Sequence, residues 1–132
     1  MKTLPPDRLA EKPGGGGWAL SDHLQHLTAW RRDLLDVLQG RLSVADFPAG
    51  PAFDFTPDSN LPISAVLNEF RGVHLNVLAE ITLQPDEALS RLSGVNDLTM
   101  GELISACTWA HDRRHREALS TDEYGLNGFS LV

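Results

Sequence analysis

Between Leu20 and Leu38 the leucines stand at positions 20, 24, 27, 34, 35 and 38. Steps of three, four and seven residues line them along one side of a helix that turns once every 3.6 residues. This periodicity predicts an amphipathic helix from about Leu20 to about Gly40, where glycine suits the stop. The same pattern returns twice. From about Pro62 to Leu83 it turns Ile63, Val66, Leu67, Phe70, Val73, Val77, Leu78 and Ile81 inward, with Pro62 in the first turn and Pro85 past the end. From about Thr99 to Leu119 the stripe is Met100, Leu103, Ile104, Cys107, Ala110 and Ala118, and Thr99 with Glu102 reads as a capping box. No stretch alternates with period two for long enough to make a strand. Three apolar stripes, each roughly 30 Å long, are buried best against one another. The expectation is an all-α, up-and-down helical bundle with three long helices, packed antiparallel.

The segments between are short of regular signals. Residues 1–17 form a lead-in in which Pro5 and Pro6 open one turn through Leu9 and the run Gly14–Gly17 bars further structure. Residues 41–61 hold Pro48, Pro51 and Pro57 with Phe47, Phe53 and Phe55, a longer connection than helices usually need. Its phenylalanines are expected to close the end of the core, the rival being a cover over a site. Residues 120–132 are a tail, and residues 1–132 together make one domain.

Eighteen acidic side chains against eleven basic ones leave a net charge of −7, which repels phosphate backbones and argues against nucleic acid. No apolar run approaches the roughly 20 residues of a membrane span. The start, MKTLPPDRLAEK, lacks the apolar region of a secretory signal, and the lone Cys107 suits a reducing compartment, so the expected location is the cytoplasm.

Chemistry enters with the histidines. His111 and His115 are four residues apart, one turn above the other, and His111 falls in the middle of the third apolar stripe. An imidazole aimed into a core needs a partner. Two stacked histidines can chelate a divalent ion, but on spacing alone the expectation is a pair satisfied by backbone or carboxylates, since such patterns recur by accident. On the first helix periodicity favours His23, which projects with Leu27 and Leu34, over His26 at the edge of the stripe near Trp30 and Val37. His74 is central to the second helix's apolar face.

The stretch GGGWALSDHLQHLTAWRRDLL is similar to a motif of the DinB-like (damage-inducible B) superfamily of metalloenzymes, G-W-S followed by H-L-x-x-W-E. LNEFRGVHLNVLAEI resembles that family's next helix, and LTMGELISACTWAHDRRHREAL resembles its final motif, T-x-x-x-L-x-x-x-x-x-H-D-x-x-H. The resemblance runs from about Leu4 to Leu119 and implies a four-helix-bundle variant. It also implies a divalent metal held by one histidine of the first motif and the pair of the last, which here are His26, His111 and His115. On this count the family pattern overrules the periodicity that prefers His23. Three neutral imidazoles leave a coordination position open, as catalytic sites do.

The family includes thiol-dependent transferases and isomerases. The resemblance therefore implies a bacterial enzyme that activates a low-molecular-weight thiol at zinc or nickel, with iron or manganese as alternatives, for attack on a small electrophile. The rival functions are a non-enzymatic, stress-related binding or assembly module and a metal-free hydrolase-like relative with a degenerate site.

Several residues depart from the family pattern. Ala19 replaces the usual Ser or Thr cap, which moves the expected start of the first helix toward Ser21. Arg31 stands for the common Glu, and His74 stands where an arginine is expected and is a possible fourth ligand. Asp22, one turn before His26, is expected to serve the helix start rather than to orient that imidazole. Cys107 is expected to be a small buried hydrophobe. Trp18, Trp30 and Trp109 are expected in the core rather than as substrate platforms. Only three residues precede the segment matching LPPDRL, where the family carries a long helix. The uncovered groove this leaves leads to the expectation of a homodimer.

Overall fold

The structure, a computed structural model, describes residues 2–3, 17–42, 55–58, 60–95, 97–119 and 129–130. The expectations for Leu4, Leu9, Gly14–Gly16, Phe47, Pro48, Pro51, Phe53 and residues 120–128 lie outside them. In chain order the elements are β1 (Lys2–Thr3), α1 (Leu20–Leu38), α2 (Ile63–Leu83), α3 (Asp86–Leu89), α4 (Met100–Cys107), α5 (Trp109–Leu119) and β2 (Phe129–Ser130). β1 and β2 form a two-residue parallel pair, Lys2 beside Phe129 and Thr3 beside Ser130. Apart from an isolated antiparallel bridge between Leu92 and Thr99, all else that is regular among the described residues is helical, and the fold class is all-α.

α1 starts at Leu20 despite an alanine at its cap. The Asp22 carboxylate reaches back and accepts the Ala19 N–H at 2.8 Å, which satisfies one of the four donors that a helix start leaves unpaired. The later start expected from Ala19 is thereby corrected. At the other end Gly40 takes φ +74°, a left-handed turn that glycine adopts without strain. α2 follows Pro62 as expected.

The third long helix is not one helix. Thr108 breaks it with φ −122° and ψ −107°. The Thr108 hydroxyl donates to the Ile104 carbonyl at 2.6 Å, and its own N–H goes to Ser105 O at 3.3 Å. The side chain takes the acceptor that the helical backbone would have used, a competition typical of threonine. α4 begins at a true cap: Thr99 Oγ1 accepts the Glu102 N–H at 3.1 Å and donates to the Glu102 carboxylate at 3.0 Å.

α1 is the central element, packed on α2 along one side and on α4 and α5 along another. Its polar partners on α2 advance with it: Arg31 meets His74, Arg32 pairs with Glu69 and Gln39 reaches Glu80. α1 and α2 therefore run parallel. The antiparallel packing expected of all three long helices holds only for α1 against α4–α5, where His23 meets His115 and Arg31 meets Asp112. Residues 39–62, between α1 and α2, are long enough to travel back past the roughly 28 Å of α1 before α2 begins.

The core gathers Leu34 and Leu35 from α1, Val77 from α2, Val95, and Leu103, Ile104 and Cys107 from α4. Leu78, expected inward, is 47% exposed. α2 packs chiefly on α1, so only Val66 and Val77 of its wide apolar face are fully buried.

Candidate metal centre

α1 brings His23 and His26 on its first two turns, and the antiparallel α5 brings His111 and His115 against them. One ion pair, buried on its arginine side, holds the two helices in register. The Arg31 side chain is 1% exposed, and its guanidinium grips Asp112 through two bonds, at 2.8 and 2.6 Å. Asp112 directly follows His111, so this bidentate fork sets where the histidine pair stands relative to α1. Arg31 Nε also donates to His74 Nδ1 at 3.3 Å, and its charge lies 4.9 Å from the centre of the Phe70 ring. His74, stacked on Phe70, thus serves Arg31 and does not join the histidine cluster.

His26, His111 and His115 each present one ring nitrogen such that all three lie within 4.8 Å of one another. The Nε2 atoms of His111 and His115 are 3.1 Å apart. Two nitrogens bound about 2.0–2.1 Å from a tetrahedral zinc stand about 3.3 Å apart. The pair already has chelating separation, and the His26 nitrogen lies within 4.8 Å of the nitrogens the other two present. His23 occupies a different place. Its Nδ1 meets Nδ1 of His115 at 2.7 Å, on the ring edge away from His111. Among the described residues the group with ligand spacing is His26, His111 and His115, and His23 is outside it.

Burial drives every imidazole of the cluster toward the neutral form. It pushes His111 down to about 3 and His115 to about 4, and the neighbouring histidines and Arg114 push in the same direction. His23 and His26 are lowered as well, again by burial first. Neutral imidazole is the ligating form. The Nδ1 of His111 is buried with no hydrogen-bond partner among the described residues, so the site has a polar atom to satisfy. Cys107 is no competing donor. It is fully buried in the apolar core, and burial pushes its thiol up to about 12. Asp22, held by the Ala19 N–H, serves the helix start as expected.

Aromatic rings wall the cluster. Trp18 packs 5.3 Å from both His23 and His26, Phe55 sits 5.3 Å from His26 and 5.8 Å from Trp18, and Trp30 lies 5.1 Å from His111. Two expectations are corrected here. Phe55 lies over the histidines rather than at an end of the apolar core, which makes this one residue part of the site's cover. Trp109 is 56% exposed and lies outside the core, because α5 restarts after the break at Thr108.

The periodicity that favoured His23 and the family pattern that favoured His26 each found a residue of the cluster, in different roles. Reading the residues singly missed that Asp112 and Arg31 form the strut between the helices. The signal was a buried-face arginine on α1 with an aspartate beside His111. A family model described as the DinB superfamily matches residues 1–119. No match was found among curated proteins or among solved structures.

Proposed function

The chain belongs to the DinB superfamily, and on that premise we propose that His26, His111 and His115 hold one divalent metal ion in an enzyme that transfers or isomerises with the help of a small thiol. The observation that carries this is the convergence of three neutral imidazole donors from two helices on one point. The donor set suits zinc or nickel first, with iron or manganese as alternatives. A bound ion would supply Lewis acidity and lower the pKa of a coordinated thiol or water toward neutrality.

The chain's own residues do the rest. His26 comes from α1 and the pair from α5, so the ligands span a helix interface whose register Arg31 and Asp112 maintain. Trp18 and Phe55 cover the ring of His26, which limits water at the site and strengthens polar interactions within it. Three protein ligands would leave room for a thiol at such an ion, and the substrate would be a small electrophile that bonds to the thiol sulfur as its own leaving group departs with the bonding electrons.

We also propose that the protein acts as a homodimer. Leu75 and Leu78 lie on one face of α2 and are 64% and 47% exposed, an apolar surface that a second copy would cover.

The experiment is metal analysis of the purified protein beside His111→Ala and His115→Ala, followed by assay with a thiol and a reactive electrophile. Stoichiometric metal in the parent protein alone, and turnover abolished by a chelator, is the expected result. Metal-free protein with undiminished turnover would move it to a metal-free hydrolase-like function, and no turnover with any thiol to a binding module.

A further inference from the structure

His115 has both ring nitrogens engaged, on opposite edges. Nε2 faces His111 Nε2 at 3.1 Å, within the histidine triad, and Nδ1 faces His23 Nδ1 at 2.7 Å. A neutral imidazole has one proton to place. When Nε2 gives its lone pair to an ion, the proton must sit on Nδ1, and it then needs an acceptor. Metal-bound histidines usually find a carboxylate or a backbone carbonyl there. The two carboxylates nearest in sequence to the cluster are otherwise committed, Asp22 to the Ala19 N–H and Asp112 to the Arg31 fork. Among the described residues, the atom in hydrogen-bond contact with His115 Nδ1 is Nδ1 of His23.

We infer that His23 is a positioning residue. Its Nδ1 lone pair accepts the Nδ1 proton of His115, which fixes the tautomer and ring plane that aim His115 Nε2 into the metal site. His23 is itself held: α1 anchors it three residues before His26, and Trp18 packs against its ring at 5.3 Å, nearly edge-on. Its own proton then belongs on Nε2. An imidazole thus takes the place of the oxygen acceptor, a consequence of the histidine at position 23 that the family pattern has no use for. This inference rests on the reading of His115 as a metal ligand.

The test is Zn²⁺ affinity of the full chain near neutral pH, by competition with a chromophoric chelator, for the parent protein, His23→Leu and His23→Asn. Leucine keeps the bulk and removes the acceptor, whereas asparagine places Oδ1 about where Nδ1 stood. His23→Leu is expected to bind about 10–100-fold more weakly, the usual cost of losing an outer partner. His23→Asn is expected to recover most of that loss. Long-range ¹H–¹⁵N NMR of the zinc-loaded parent should show His115 protonated at Nδ1.

Circular dichroism of the metal-free variants separates a lost fold from a lost acceptor. If His23→Leu fails to fold, the His115 tautomer in the parent still decides. Equal affinity of His23→Leu and parent, equal loss in both variants, or metal on His115 Nδ1 would each overturn the inference while the metal site stands. A parent protein that takes up no zinc would remove the metal reading and this inference with it.

Discussion

At the scale of single residues, the cluster is defined by what each ring nitrogen touches. Replacing His111 or His115 by alanine removes a donor outright. Either change is expected to weaken zinc binding by more than the roughly 10–100-fold that an outer partner is worth, as read by chelator competition. Asp112 is a different kind of residue. Its loss strands the buried charge of Arg31, and breaking a buried pair costs about 3–5 kcal/mol. Because the Asp112 side chain is 39% exposed, Asp112→Ala is expected at the low end of that range in urea unfolding. Arg31→Met combined with Asp112→Ala should lose less than Asp112→Ala alone, since no charge is then left unpaired. The pair His111 and His115 was legible in the sequence because a spacing of four on one helix guarantees one face. Periodicity alone did not give the third histidine of the group, because whether His23 or His26 meets that pair depends on how α1 is rotated against α5, and the strut from Arg31 to Asp112 sets that rotation.

At the scale of elements, the third helix shows how a side chain redirects a backbone. The unbroken apolar stripe from Met100 through Ala110 gave no sign of a break, since periodicity sees faces and not hydrogen bonds. Thr108→Val keeps the shape and removes the hydroxyl that satisfies the Ile104 carbonyl. It is expected to destabilise the fold by about 1–3 kcal/mol, the cost of a buried acceptor left unmade. Thr99→Ala should cost about 1 kcal/mol through the lost cap at Glu102 N–H. Denaturant midpoints of the two variants check both values. The α1–α2 pair was misjudged for a related reason. Apolar stripes state which faces meet but not in which direction, and the intervening residues 39–62 permit either.

At the scale of the whole molecule, the buried imidazoles link stability to pH. In the unfolded chain each histidine takes up a proton near pH 6.5, whereas in the folded protein His115 waits until about 4 and His111 until about 3. The unfolded state therefore binds more protons in that interval, and stability rises with pH across it. The metal-free protein is expected to be most stable above pH 6.5 and to lose melting temperature steadily as pH falls toward 4, as a series of thermal melts will show. Metal binding should weaken below pH 6.5 rather than at it for the same reason, since all three proposed ligands are lowered. No described helix is long and apolar enough to cross a membrane. For the proposed dimer, Leu75→Glu with Leu78→Glu should convert the assembly to a monomer in light scattering without changing the metal stoichiometry.

The sequence by itself determined the extent of α1 and α2 to within a residue or two, the helical run that begins at the Thr99 cap and the pairing of His111 with His115. Each is a matter of neighbours within a few residues, where helical geometry leaves no freedom. Its motifs also carried the family and the choice of His26. Only the tertiary structure decided the parallel course of α1 and α2, the burial of Arg31 against Asp112 and the place of His23 behind His115. Those depend on groups up to 92 residues apart, such as His23 and His115, brought together by packing. Local periodicity carries no information on the distance, rotation or direction at which two helices meet.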